Sequence, residues 1–173
     1  MFPLSQKEEI SANRKEQIMK SAAALFATQG YYKTTTAHIA DAVGVTQPYV
    51  FHFFKTKEQL YLAVLDRAFT QMEYAFNQVE APADKLCTAM GSVFEELLNT
   101  QRNEMLLLMQ CSATPEPKVK EFAREKYTLI YESVKTRFEL AGINNSAHEA
   151  SMFLAYGLII SLSAVLELPQ LMP

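Results

Sequence analysis

From Ala150 to Leu166 the chain reads ASMFLAYGLIISLSAVL, seventeen consecutive residues without a charge. A helix that is apolar almost all round must be covered on nearly every side. The run sits at the lower limit for crossing a hydrocarbon core. Its flanks are Glu149 and Glu167 rather than Lys or Arg, and Ser151, Ser161 and Ser163 interrupt it. These features favour a helix buried in a core or between subunits over a membrane span.

The rest of the chain supplies the helices such a segment needs. Apolar residues make up 49% of the 173 positions, so a core can form, and only 5 Gly and 7 Pro interrupt them. Ser5 with Glu8 has a capping-box pattern, and Ser11 is a second candidate cap. A helix follows from about Ser11 to Gln29, with Ile18, Ala22, Leu25 and Phe26 on one face. Gly30 stands where a left-handed stop is wanted. Thr36 is placed to cap a short helix with Ile39, Ala40 and Val43 inward, and Gly44 turns the chain. Thr46 caps a third helix with Pro48 in its first turn, where a missing N–H costs little. Thr56 caps the next, whose stripe is Leu65, Phe69, Met72, Phe76 and Val79. Pro82 starts another, with Leu86, Ala89, Met90, Val93, Phe94 and Leu97 at helical spacing. A shorter helix spans about Asn103 to Cys111. Pro115 and Pro117 open a long one to Ala141, with the stripe Val119, Phe122, Tyr127, Ile130, Tyr131, Val134 and Phe138. Gly142 ends it, and the last helix runs from about Ala147 to Leu166. No repeat, low-complexity segment or flexible linker is present. The helix beginning near Lys57 therefore joins the parts on either side directly, and motion in one can reach the other.

Charge is unevenly spread. Residues 1–60 hold seven Lys/Arg and five Asp/Glu, a net of +2, whereas 61–173 hold nine and fourteen, a net of −5. The difference points mildly to a polyanion partner for the N-terminal part. There, helix, turn and helix occupy about Thr36 to Phe54, with Gly44 in the turn. On the last of these helices Val50 and Phe54 face inward. Pro48, Tyr49 and His52 lie on the other side, with Gln47 at the tip. A major groove admits one helix, Gln reads adenine through two hydrogen bonds, and Tyr bonds a phosphate or packs on a thymine methyl. Lys55 and Lys57 would meet the phosphate backbone, Lys57 at a helix N-terminus. The same spacing also fits a small helical corner with surface lysines.

Enzyme chemistry finds no support. There is no Gly-rich phosphate loop and no nucleophile elbow. Cys87 and Cys111, like His38, His52 and His148, are scattered and have no metal-ligand spacing, so neither a metal nor a cofactor is expected. The opening MFPLSQKEEI lacks a basic region followed by an apolar stretch. A reducing cytoplasm is the expected compartment.

The stretch Arg14 to Leu60 resembles the N-terminal domain of the TetR family of transcriptional regulators. The resemblance is carried by Ile18, Ala22, Ala23, Leu25, Phe26, Gly30, Tyr31, the threonines 34–36, Ile39, Ala40, Ala42, Gly44, Val45, Thr46, Phe54, Thr56, Lys57, Glu58 and Leu60, in order and without a gap. It covers about a quarter of the chain. It implies a homodimer that binds a near-palindromic double-stranded DNA operator, usually represses, and lets go when a small molecule binds the C-terminal half. The DNA-facing positions it implies are Thr36, Thr46, Gln47, Pro48, Tyr49, Phe51, His52 and Lys57. Phe51 departs from the commoner tyrosine, whose hydroxyl meets a phosphate.

The expected fold is all-α, with a three-helix helix-turn-helix DNA-binding domain over 1–56 and a helical ligand-binding and dimerisation domain over 57–173. Met72, Phe76, Met90, Phe94, Met105, Met109, Tyr127 and Tyr131 can line an apolar cavity, although residues at such spacing also make plain core. The scarcity of charge on the inward stripes favours an apolar or aromatic effector. The last two helices are expected to form the dimer. Gly157 and Ser161, four apart, permit close helix approach and are flanked by Phe153, Tyr156, Leu158 and Ile160. Two other readings stay open on the same fold: a regulator tethered to a membrane by its last helix, and a helical interaction protein that does not bind DNA.

Overall fold

The computed structural model describes residues 6–172, and the side chains of residues 9–172. The expected capping box of Ser5 and Glu8 lies outside the described side chains. Ser11 caps nothing: it is inside the first helix, α1, which spans Gln6–Lys33. Gly30 breaks that helix with φ 78° and ψ 166°. This is extended backbone of the mirror-image hand, which essentially only glycine occupies. A stop was expected here, but of the left-handed helical kind. The buried Thr34 secures the break. Its hydroxyl donates to the Gly30 carbonyl at 2.9 Å and lies 3.1 Å from the Leu25 carbonyl, two acceptors in the region where the helix breaks.

Helices α2 (Thr36–Val43) and α3 (Gln47–Phe53) follow. The cap of α2 is Thr35, not Thr36: the Thr35 hydroxyl accepts from the His38 N–H at 3.1 Å. Thr36 is the first helical residue and is buried. Gly44 closes α2 in the left-handed conformation, φ 70° and ψ 39°. Thr46 occupies the cap position of α3 but only its backbone carbonyl serves, accepting from Tyr49 and Val50. Helix α4 (Lys57–Asn77) begins with a side-chain cap, the Thr56 hydroxyl accepting from the Gln59 N–H at 3.0 Å. The Gln59 side chain reaches back to the Lys55 N–H at 3.0 Å.

The chain divides into two compact units after Asp66, inside α4. The sequence placed the division where α4 begins. The reason for the shift lies in the core of the first unit. Leu60, Tyr61, Val64 and Leu65 of α4 fall within the first unit and are buried, and the Tyr61 ring meets Phe26 edge-on with centroids 4.8 Å apart. Ile18, Ala22, Ile39, Val50 and Phe54 complete that core.

The second unit holds the rest of α4 with α5 (Ala83–Thr100), α6 (Arg102–Cys111), α7 (Pro117–Leu140) and α8 (Ser146–Leu166), then a 3₁₀ turn over Pro169–Leu171. Pro82 precedes α5 and Pro117 opens α7, positions where the absent N–H has no intrahelical partner to lose. Helices α7 and α8 pack along each other, and α8 also meets α5 and α6. Phe153 of α8 stands between Phe76 and Phe138, at centroid distances of 5.3 and 6.1 Å. No strand occurs among the described residues. The uncharged run is α8, the one helix among them long and apolar enough to cross a membrane. Its inner side, with Ala150, Phe153, Ile160, Ser161 and Ser163, is buried. Met152, Leu158, Ile159, Leu162, Val165 and Leu166 remain exposed.

Candidate nucleic-acid interface and apolar cavity

Helix α3 has two unlike sides. Val50 is fully buried, and Phe54, just past the helix end, nearly so. Gln47, Pro48, Tyr49, Phe51 and His52 are exposed, as are Thr46 and Lys55 beside them. The Tyr49 ring lies parallel to His52 with centroids 6.4 Å apart and meets Phe53 edge-on at 5.4 Å. These are the neighbours that helical spacing of three and four provides. The Gln47 amide donates to the Thr36 hydroxyl at 2.7 Å. Thr36 itself is buried, so it supports Gln47 rather than facing outward. Lys57 is engaged within the protein. Its ammonium donates to the Tyr31 carbonyl at 2.9 Å and sits 4.3 Å from the centre of the Tyr31 ring. An ammonium has three N–H donors, and this carbonyl takes one. The partner stands 26 positions away in sequence, so no local pattern announced it.

The second unit contains a cavity of about 440 Å³, within the usual range for small-molecule sites. Met72, Phe76, Phe94, Met105, Met109 and Tyr127, all proposed from the sequence, line it. Met90 and Tyr131 do not. Met90 is fully buried and faces a separate gap of about 10 Å³. Tyr131 is one position beyond the lining residue Ile130, about 100° further round α7. Its hydroxyl points to the Ala147 carbonyl, 3.5 Å away. Sequence reasoning missed Thr88, Gly91, Ser92 and Glu95, which also line the cavity. They recur at helical spacing on α5, but their polarity reads as a solvated face. Thr88, Ser92 and Glu95 are in fact exposed, as is Leu158 across from them on α8, and they mark the mouth.

One wall of the cavity is pinned by a carbonyl. Leu108 lies in the last turn of α6, where carbonyls lack helical partners. The Tyr127 hydroxyl donates to it at 2.7 Å and the Cys111 thiol at 3.1 Å. Burial pushes the Tyr127 phenol well above its ordinary range and the Cys111 thiol up to about 12. The Cys87 thiol is raised as well, by burial first and then by the Glu149 carboxylate. Among the described residues no group of three or more His, Cys, Asp or Glu is placed to hold a metal ion.

The residues expected at a dimer interface all line this cavity: Phe153, Tyr156, Gly157, Leu158, Ile160 and Ser161. Phe153, Ile160 and Ser161 are buried within the chain itself. The close approach at Gly157 is to Phe94, whose ring would lie 3.9 Å from an added Cβ. Ser161 turns its hydroxyl back to the Gly157 carbonyl at 2.9 Å. An uncharged helix gives no polar marker of which side is inward. Of these, Tyr156 and Leu158 are exposed.

Residues 18–64 match the family described as bacterial regulatory proteins, tetR family. The transcriptional repressor KstR2 of Mycolicibacterium smegmatis is 31% identical over 90 residues, covering 50% of this chain and 44% of the repressor. The match thus spans less than half of that relative's length. Among solved structures, AibR in complex with isovaleryl coenzyme A and operator DNA superposes with a TM-score of 0.72 at 21% identity, over 86% of each chain. The fatty acid degradation regulator FadR from Bacillus halodurans superposes with a TM-score of 0.71 at 13% identity, over 90% of this chain and 86% of FadR. Both extend the fold likeness through the second unit. With the helix-turn-helix geometry of α2 and α3, the matched residues 18–64 make the N-terminal part of this chain similar to the tetR family of bacterial regulatory proteins.

Proposed function

We propose that this chain is a ligand-responsive transcriptional regulator, a repressor in its simplest form, working in the cytoplasm. It binds a near-palindromic operator as a homodimer and is released by a small apolar or aromatic effector. The observation that carries the reading is the exposed face of α3. A two-turn helix whose outward side is amide, proline, phenol and imidazole, and whose inward side is Val50, suits the first turn of a reading helix in a major groove. Gln47, Pro48 and Tyr49 enter first, while Lys55 and Lys57 take phosphates.

The cavity supports the effector part of the reading. Helix α4 is continuous over Lys57–Asn77, and its residues include Lys57 near the start and the cavity residues Met72 and Phe76 near the end. The exposed apolar side of α8 supports self-association, since a patch of that kind on a lone protomer marks an interaction site. A second copy covers it, through Met152, Ile159, Leu162 and Leu166 together with the exposed Tyr156 and Leu158.

The test is selection of bound sequences from a random duplex pool at near-physiological salt. An enriched inverted repeat with half-sites about 34–36 Å apart, or a multiple of that, is the expected result. A pool that stays random with a folded protein, with and without added effector candidates, would contradict the proposal.

A further inference from the structure

The walls of the cavity are apolar and aromatic, but its mouth carries a charge of one sign. Among the described residues, Glu95 is the only charged one lining it, and none of the lining residues is Lys, Arg or His. Glu95 is exposed at the mouth, beside the hydroxyls of Thr88 and Ser92. A second carboxylate, Glu149, is near enough to Cys87 in the wall to act on its thiol. Residues 67–173 together hold nine Lys/Arg against thirteen Asp/Glu, a net of −4. A fatty acid or a coenzyme A thioester seated here would bring its own negative charge beside Glu95 with no cation from the lining to meet it. Unlike charges attract and like charges repel by comparable amounts at such a rim. An ammonium would gain both the carboxylate and the faces of nearby aromatic rings.

We propose that the cavity takes an apolar, aromatic molecule ending in a single positive charge, held at Glu95, and discriminates against fatty acids and coenzyme A thioesters. The inference rests on the reading of this cavity as the effector site. It separates this chain from the structural neighbour that binds isovaleryl coenzyme A, despite the shared fold.

The test keeps the two claims apart. Calorimetric titration of the full chain uses 4,4-diphenylbutylamine, the matching alcohol and the matching carboxylic acid, with isovaleryl coenzyme A as a fourth probe. The amine is expected to bind about five- to tenfold more tightly than the acid, the alcohol between them, as a rim charge allows. Glu95→Gln should bring amine and acid to within about twofold, since only the charge is removed. Gly91→Leu should weaken every probe. An added Cβ at Gly91 meets nothing within 4 Å, and leucine favours a helix interior, so this variant folds and fills the cavity. Acid or thioester binding as tightly as the amine, and weakened by Gly91→Leu, would overturn the charge preference and leave the cavity as the site. Absence of binding by all four probes, or binding that Gly91→Leu leaves unchanged, would overturn both.

Discussion

The Gln47 amide donates to the Thr36 hydroxyl across 2.7 Å, joining the first residue of α3 to the first residue of α2. The bond fixes one end of the amide and leaves the carbonyl oxygen and a second N–H aimed away from it. An exposed glutamine loses rotamer freedom on meeting a base, and holding it beforehand lowers that cost. Thr36→Val keeps the shape and removes the acceptor. It should weaken operator binding by about 1 kcal/mol, roughly fivefold, without changing helical content. Gln47→Ala should cost about 1–3 kcal/mol on the preferred site only. Equal losses on preferred and random duplexes in a binding titration would rule out base reading by Gln47.

Lys55 and Lys57 are not equivalent. Lys55 is exposed, whereas Lys57 holds the Tyr31 carbonyl and ring. Lys55→Ala should flatten the plot of log affinity against log salt by about 0.9 while leaving Tm unchanged. Lys57→Ala should flatten it too and also destabilise the free protein by about 1 kcal/mol, from one hydrogen bond and one cation–π contact. Salt titrations paired with thermal melts would distinguish the two, and an unchanged Tm for Lys57→Ala would remove its structural role.

Alkaline stability should fall earlier than lysine or arginine titration would bring about. The Cys111 thiol is raised from 9.0 to about 12 by burial. Between those values the folded state keeps a proton that the unfolded state has released. Stability is therefore fully present below pH 9.0 and is lost as pH rises towards about 12. The slope from one such proton is about 1.4 kcal/mol per pH unit at most. Tyr127 adds to the loss in the same direction, from its ordinary value of 10.0 upward. Cys111→Ala should reduce the decline between pH 9 and 10 in urea melts compared with the native chain. A parallel decline in both proteins would show that the thiol ionises in the folded state.

Gly30→Ala tests the break in α1. No atom lies within 4 Å of an added Cβ, so there is no clash to relieve. The cost comes from the backbone, whose φ of 78° and ψ of 166° an alanine does not adopt. A loss of about 1–3 kcal/mol in urea unfolding is expected. An unchanged midpoint would mean that the connection after α1 re-forms with another geometry.

The helices, the inward positions Val50 and Phe54, and six of the cavity residues were legible because their signals are local. Glycine at 44 and proline at 117 stop or start helices through their own covalent structure. What was not legible depended on neighbours distant in sequence. In the run of threonines 34–36 each residue can cap a helix equally well. Burial of Thr34 and Thr36 left Thr35 as the cap. The rotational phase of α8 was hidden because its uncharged sequence does not mark an outside. Lys57 looked like a surface charge because Tyr31, its partner, is 26 positions away.

Helix α8 is a partition one helix thick. Phe153, Ile160 and Ser161 on its inner side are cavity wall, and Met152, Ile159 and Leu162 on its outer side meet solvent in the lone protomer. Filling the cavity presses on the same rod that a second copy would grip. Occupancy and self-association are therefore expected to be coupled, and the factor by which ligand alters subunit affinity is then the factor by which pairing alters ligand affinity. Ligand affinities measured at nanomolar and at micromolar protein will then differ, and the dilution curve becomes a readout of the wall itself.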